Sequence, residues 1–140
     1  MKVVPNFHFG GKCRDAIELY QKAFGAKIDC LLLYKDAKVE DYDRPLTDEQ
    51  KNYVYHAEIH IGNQRIMLAD NIDLPFAPST SLFLTMIMDT KEDVMRAFEI
   101  LIDGSTVLYP PHRTTYSSCT VNLIDKFGFR WVIMTEQTER

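Results

Sequence analysis

Two imidazoles and a carboxylate alternate along Val54-Tyr55-His56-Ala57-Glu58-Ile59-His60-Ile61. In an extended chain residues two apart share a face, with side chains ~7 Å apart, so His56, Glu58 and His60 form one polar row. His-x-Glu-x-His on a strand face is similar to a metal-ligand set, with His8 the candidate for a fourth ligand from elsewhere. The same row serves equally as a polar wall that hydrogen-bonds an organic ligand, as a half-exposed sheet face, or as a dimer contact. His8 is also a candidate general base, because an unperturbed imidazole titrates near neutrality, against a purely structural role. Asp70, at a strand end, is read either as orienting a ligand or as capping the turn at Asn71. Cys119 as a nucleophile needs a neighbouring base or a helix N-terminus, and the sequence supplies neither.

The elements that must position these residues follow from apolar spacing. Val3 to Phe9 is extended and stops at Gly10-Gly11. Cys13, Ala16, Ile17, Tyr20, Ala23 and Phe24 recur with helical period, and Gly25 is placed to cap the helix. Lys27 to Tyr34 reads as a strand. Gly62-Asn63 joins two alternating segments as a two-residue hairpin, which fixes the register: 61 with 64, 60 with 65, 59 with 66, 58 with 67, 57 with 68 and 56 with 69. Ile59 then faces Ile66 and Ala57 faces Leu68, while the other face carries His56 beside Ala69, Glu58 beside Met67 and His60 beside Arg65. After Pro75 and Pro78 the pattern starts again. Ser81 to Met88 is a strand, and Thr90-Lys91-Glu92-Asp93 is a capping box with Asp in place of Glu. Val94, Ala97, Phe98 and Leu101 make a helical stripe that stops at Asp103-Gly104. Thr106 to Tyr109 is a short strand, Pro110-Pro111 a break, Tyr116 to Ile124 a longer strand, and Phe129 to Thr135 the last, where Trp131 alternates with Val132 and packs into the core.

Both halves run strand, helix, strand, strand, hairpin turn, strand, which predicts a duplicated βαβββ unit, module 1 over about 1–72 and module 2 over about 79–137. Lys35 to Asn52 lengthens only the first. Ten of its eighteen residues are charged, six acidic and four basic, and it reads as a surface loop with a helical turn starting near Thr47. Such a loop is either a functional lid or contact, or a solvated excursion.

Composition bounds the function. With 140 residues, 46% hydrophobic and 11% aromatic, the chain closes a core without disulfides. A net charge of −4, from 20 acidic and 16 basic residues, excludes the basic footprint nucleic acid requires. Cys13, Cys30 and Cys119 form no CxxC pair and point to thiols in a reducing compartment. No apolar run is long enough to span a bilayer, and MKVVPNFHF, with one Lys and a Pro-broken apolar stretch, is not a secretory signal. A cytoplasmic protein with no membrane partner is expected.

Three segments carry a resemblance to a known family. They are Pro5-Asn6-Phe7-His8-Phe9 through Cys13-Arg14-Asp15-Ala16-Ile17-Glu18-Leu19-Tyr20 and Ala23-Phe24-Gly25; His56-Ala57-Glu58 through Ile66-Met67-Leu68-Ala69-Asp70; and Asp125-Lys126-Phe127-Gly128-Phe129-Arg130-Trp131. In these the chain resembles the PhnB-like family of the vicinal-oxygen-chelate superfamily, the glyoxalase/bleomycin-resistance/dioxygenase fold. The resemblance implies an α+β fold in which two tandem βαβββ modules form a cupped mixed sheet around a small ligand, often with a divalent metal, and usually as a homodimer. The metal positions of that superfamily fall near Asn6 (or His8), on Met67, near Phe83 (or Thr85) and on Val132. Met67, Phe83 and Val132 cannot ligate a hard cation, so the usual metal centre is expected to be absent. Those positions, with His56, Glu58, His60 and a Tyr116 that could stack on or hydrogen-bond a ligand, form the expected binding set. The expected function is metal-independent small-molecule binding. The alternative is a lyase- or isomerase-type enzyme using His8 and Glu58, with His56, Glu58 and His60 holding a divalent metal such as Zn, Ni or Mn. A methyltransferase is not expected, because no GxGxxG-type turn is present.

Overall fold

The computed structural model describes residues 1–42 and 44–136, with Val39 described in its backbone only. The chain divides into two compact units, Met1–Phe76 and Ala77–Arg140. The first contains β1 (Asn6–Phe9), α1 (Cys13–Phe24), β2 (Lys27–Leu33), β3 (Val54–Ile61) and β4 (Gln64–Asp70). The second contains β5 (Leu84–Met88), α2 (Lys91–Leu101), β6 (Thr106–His112), β7 (Thr120–Ile124) and β8 (Arg130–Thr135). Each unit is thus βαβββ with its own mixed four-stranded sheet, in the order β1-β4-β3-β2 or β5-β8-β7-β6. The first strand of each pairs parallel to the last and the remaining pairs are antiparallel. No helix among the described residues is long and apolar enough to cross a membrane.

Each helix covers one face of its own sheet. Cys13, Ala16, Ile17, Tyr20 and Ala23 of α1 are buried with Ala57, Ile59, Ile66 and Leu68, the positions the hairpin register assigns to one side. In the second unit Val94, Ala97 and Leu101 of α2 are buried together with Val121, Leu123, Trp131 and Ile133. Full burial of an aliphatic side chain of this size contributes ~1.5–3 kcal/mol, so these two stripes hold the sheets in place. Trp131 is fully buried and its indole N–H donates to Asp125 Oδ2 at 2.9 Å. Asp125 Oδ1 accepts from the backbone N–H groups of Phe127 and Phe129, which builds the turn into β8.

The two helices begin differently. Thr90 caps α2, its Oγ1 accepting from the Asp93 N–H at 3.1 Å, as the sequence signature predicts. Lys12, at the N-cap of α1, makes no side-chain cap bond. Asp70 at the end of β4 supplies one instead. Its Oδ1 accepts from the N–H groups of Gly11 (2.8 Å) and Cys13 (3.0 Å), and its Oδ2 from Val54 (2.9 Å). One buried carboxylate therefore ties β4, β3 and the positive end of α1 together. At its other end α1 stops at Gly25, whose φ of 68° is left-handed and whose N–H returns to Gln21.

Several boundaries differ from those read in the sequence. β1 starts at Asn6 and β5 at Leu84, each about three residues late, and Tyr34 leaves β2 to open a 3-10 turn. Pro110-Pro111 does not break the chain but lies within β6. That strand is the sheet edge, and its pairing with β7 skips from Tyr109 to His112, so the prolines' missing N–H groups leave no ladder bond unmade. The following strand starts at Thr120 instead of Tyr116. Ser117 and Ser118 bond Thr135 and hold residues 116–119 as a loop. The charged segment folds into 3-10 turns at Tyr34–Asp36, Val39–Asp41 and Gln50–Asn52. The last is set by a reciprocal box in which Gln50 N–H donates to Thr47 Oγ1 and Thr47 N–H to Gln50 Oε1.

Candidate functional site: the open face of the first sheet

Alternation along β3 sends His56, Glu58 and His60 away from α1, onto the uncovered face of the first sheet. The observed pairings of 57 with 68, 58 with 67, 59 with 66, 60 with 65 and 61 with 64 match the register derived from the hairpin. The parallel pairing of β1 with β4 adds the next column, because Asn6 lies opposite Met67 and His8 opposite Ala69. On the other side of β3, Cys30 lies opposite Glu58 and Leu32 opposite His56. Asn6, His8, His56, Glu58, His60 and Met67 are therefore brought to one face, polar groups set among Met67, Leu32 and Cys30.

The side chains of β3 do not converge on one point. His56 Nε2 bonds Glu58 Oε2 at 2.9 Å, and the other oxygen of Glu58 is engaged by the Arg65 guanidinium. The hydrogen bonds from His56 and Arg65, together with their charges, hold the Glu58 carboxyl below the usual carboxylate range. Glu58 is thus an ionised anchor with both oxygens in use, poorly suited to taking a proton near neutrality. His60 turns away to Asp29, with its Nδ1 2.9 Å from both carboxylate oxygens. Asp29 reaches this position because it is the extra residue of a bulge in β2 between Ile28 and Cys30.

On β1, His8 Nδ1 lies 2.6 Å from Asn71 Oδ1. An amide oxygen only accepts, so Nδ1 carries the hydrogen and the neutral ring keeps its lone pair on Nε2. His8 is exposed, so that lone pair is accessible.

A divalent cation of the kind used in the vicinal-oxygen-chelate superfamily finds a poor donor set here. Asn6 is a weak ligand, Met67 and Val132 are not ligands for a hard cation, and the Glu58 carboxylate already faces a guanidinium. Among the described residues no group of three or more His, Cys, Asp or Glu side chains is arranged to hold a metal ion.

The remaining expected residues lie in the second unit. Thr85 and Val132 are direct partners across β5 and β8, on the face away from α2. Phe83 precedes β5, and the Arg130 guanidinium stacks over its ring at 3.9 Å from the centroid. Arg130 also donates from Nε to Asn122 Oδ1 (3.1 Å) and from Nη1 to the Thr80 carbonyl (2.7 Å). Tyr116 is exposed in the loop before β7. Asp70 is 2% exposed with its carboxylate committed to three backbone N–H groups, so it is a structural tie and not a ligand-orienting group. Cys119 is buried in the second unit, and none of the three cysteines is in a disulfide.

Sequence reasoning missed Arg65, Asp29 and Asn71 as partners and Arg130 as a stacking group. Arg65 was within reach of it. Residues diagonal across an antiparallel pair touch when the side chains are long, and Arg65 is diagonal to Glu58 in the register. Arg130 holds the same place relative to Asn122, so the duplication carries an Arg–Glu pair in one unit and an Arg–Asn pair in the other. Asp29 depends on a bulge that leaves no local signature.

No family model matches the chain. It is 26% identical over 145 residues to Protein YjdN of Escherichia coli (strain K12), covering 95% of this chain and 94% of that protein. Among solved structures, protein PA1353 from Pseudomonas aeruginosa superposes with a TM-score of 0.83 at 25% identity, covering 97% and 98% of the two chains. The PhnB protein from Bacillus cereus, labelled a candidate 3-demethylubiquinone-9 3-methyltransferase, does so at 0.76 and 24% identity, covering 96% and 99%. The fosfomycin resistance protein FosX from Listeria monocytogenes shares the fold at a TM-score of 0.63 and 12% identity over 97% and 92% of the chains, in a form crystallised with Mn(II) and 1S,2S-dihydroxypropylphosphonic acid. The chain has the fold of the vicinal-oxygen-chelate, or glyoxalase/bleomycin-resistance, superfamily, two tandem βαβββ modules. Within that superfamily PhnB-like proteins stand among its structural neighbours, as the sequence resemblance implies.

Proposed function

We propose that this protein binds a small organic molecule on the open face of its first sheet, without a resident metal. The observation that carries the reading is Glu58, an ionised carboxylate held from two sides by His56 and Arg65 on a face that also presents Asn6, His8 and Met67. The fixed carboxylate accepts hydrogen bonds from a ligand and the imidazoles of His8 and His56 supply further polar contacts, while Met67 and Leu32 offer apolar area. The donor set argues against a divalent metal. The same reading takes Phe83, Thr85, Tyr116 and Val132 as further ligand contacts, and a cytoplasmic homodimer as the working form, on the strength of the superfamily resemblance alone.

The test is a ligand-observed NMR screen of small polar compounds, run with and without excess chelator. Binding is expected to persist in the chelator and to weaken about tenfold or more in His56→Ala and Glu58→Gln, a loss of ~1.4 kcal/mol. Stoichiometric zinc, nickel or manganese in the purified protein, or binding that appears only on adding one of them, overturns the reading.

A lyase- or isomerase-type activity is the second reading, favoured by the Asn71 contact that leaves the His8 Nε2 lone pair exposed and fit to take a proton. It requires turnover that falls with pH as His8 protonates and that is lost in His8→Ala. Turnover of a genuine substrate left intact by His8→Ala removes it.

A further inference from the structure

The charged segment between β2 and β3 encloses a cavity of about 320 Å³, within the first unit and away from the polar row of β3. Its walls include three tyrosines. Tyr34 comes from the 3-10 turn after β2, Tyr42 from the charged segment, and Tyr55 from β3, where it alternates with His56 and leaves the strand on the opposite side. The ring of Tyr34 lies 6.1 Å from that of Tyr42 and 5.3 Å from that of Tyr55, with interplanar angles of 68° and 66°. The rings therefore stand as steeply angled walls instead of a stack. Tyr34 is buried and its hydroxyl donates to the Asp70 carbonyl at 2.9 Å, which fixes the wall on which the other two meet. Glu40, Asp41 and Asp73 also line the cavity, against Arg44 as the one basic side chain among its lining residues. Burial, with the charge of Asp73 next, pushes the Tyr34 hydroxyl up, which keeps it a neutral phenol.

We propose that this cavity is a binding site for a small quaternary ammonium compound, with the Tyr34, Tyr42 and Tyr55 rings enclosing the methylated cationic head and Glu40, Asp41 and Asp73 supplying the negative field. Aromatic faces attract a cation through the ring quadrupole and ask no hydrogen bond of it, which suits an ammonium with no N–H to donate. An inorganic divalent cation is a worse occupant. It needs several oxygens at ~2.0–2.6 Å, and the cavity's three carboxylates are not among any metal-holding group of the described residues. An anion is disfavoured by three carboxylates facing one guanidinium. The volume lies at the lower end of the range of ligand pockets, roughly 300–1,000 Å³. The site is independent of the binding proposed for the open face, and its variants lie outside that face.

The experiment is an NMR and calorimetric titration of the intact chain with choline, with tetramethylammonium, and with 3,3-dimethylbutanol as choline's neutral isostere. A trimethyl-lysine peptide serves as a further probe. The two small cations are expected to bind, with ring resonances of Tyr42 and Tyr55 shifting, and the neutral isostere at least about tenfold more weakly. Tyr42→Ala is expected to weaken choline binding about five- to thirtyfold, and Asp73→Asn to weaken it less, each with unchanged binding on the open face. Tyr42→Phe, which keeps the ring, is expected to restore most of the affinity. No binding of either small cation, equal binding of the neutral isostere, affinity unchanged in Tyr42→Ala, or binding of the peptide alone overturns the proposal.

Discussion

Glu58 gains its character from two neighbours on the same face. With His56 and Arg65 both bonded to it, its ionised form is favoured in the folded protein, so its folded pKa lies below the unfolded one. The stability this contributes is complete above the ordinary carboxylate range and is lost as pH falls through the lowered folded value. Carboxyl-carbon NMR is expected to show Glu58 titrating at a lower pH than the exposed glutamates of the chain, and Arg65→Ala is expected to move that midpoint up. The thiols divide by burial in the same way. Burial and the nearby charge of Asp70 push Cys13 far above the ordinary thiol range, and Cys119 is 1% exposed, whereas Cys30 is half-buried on the open face. A thiol reagent at neutral pH is therefore expected to modify one cysteine in the native protein, Cys30, and all three once the chain is denatured. Rapid reaction of Cys13 or Cys119 in the native state contradicts this assignment.

The elements are tied at points where a side chain from one strand completes another element. Asp70 satisfies three buried N–H groups at once, two of them at the start of a helix that lacks a local cap. Asp70→Ala leaves those donors without their acceptor and is expected to destabilise the first unit by roughly 3 kcal/mol or more in chemical denaturation. Thr90→Ala removes only the cap of α2 and is expected to cost ~1 kcal/mol. Thr120 presents the opposite case. Its hydroxyl is buried and finds no hydrogen-bond partner among the described residues. Thr120→Val keeps the shape and removes the unsatisfied group, so a gain of about 1 kcal/mol in the same measurement is expected. A loss there would mean that the hydroxyl has a bonded water.

At the scale of the molecule, the 140 residues form two units of one plan, and the acidic balance is concentrated in the segment that only the first unit possesses. With 20 acidic and 16 basic residues the chain lacks the charge to neutralise a phosphate backbone. It is expected to pass through a heparin column unretained at about 0.15 M salt, a range in which exposed charges more than ~8 Å apart are screened.

Much of this plan was legible in the chain itself. Period-3.6 stripes, a two-residue hairpin and the alternation of β3 depend on neighbours a few residues apart. They determined both helices, the register of β3 with β4, and the face on which His56, Glu58 and His60 lie. Tertiary structure alone decided what those residues do there. Asp70 caps a helix that begins 57 residues earlier in the chain, and Asn71 meets His8 across 63. Asp29 reaches His60 only through a bulge, and Tyr34, Tyr42 and Tyr55 become walls of one cavity only when the charged segment folds back. The proline pair of β6 was misread for the same reason. Whether a missing N–H breaks a strand depends on whether that strand is an edge, and being an edge is a property of the sheet. Local spacing sets which way a side chain points, and only the packed chain sets what it meets.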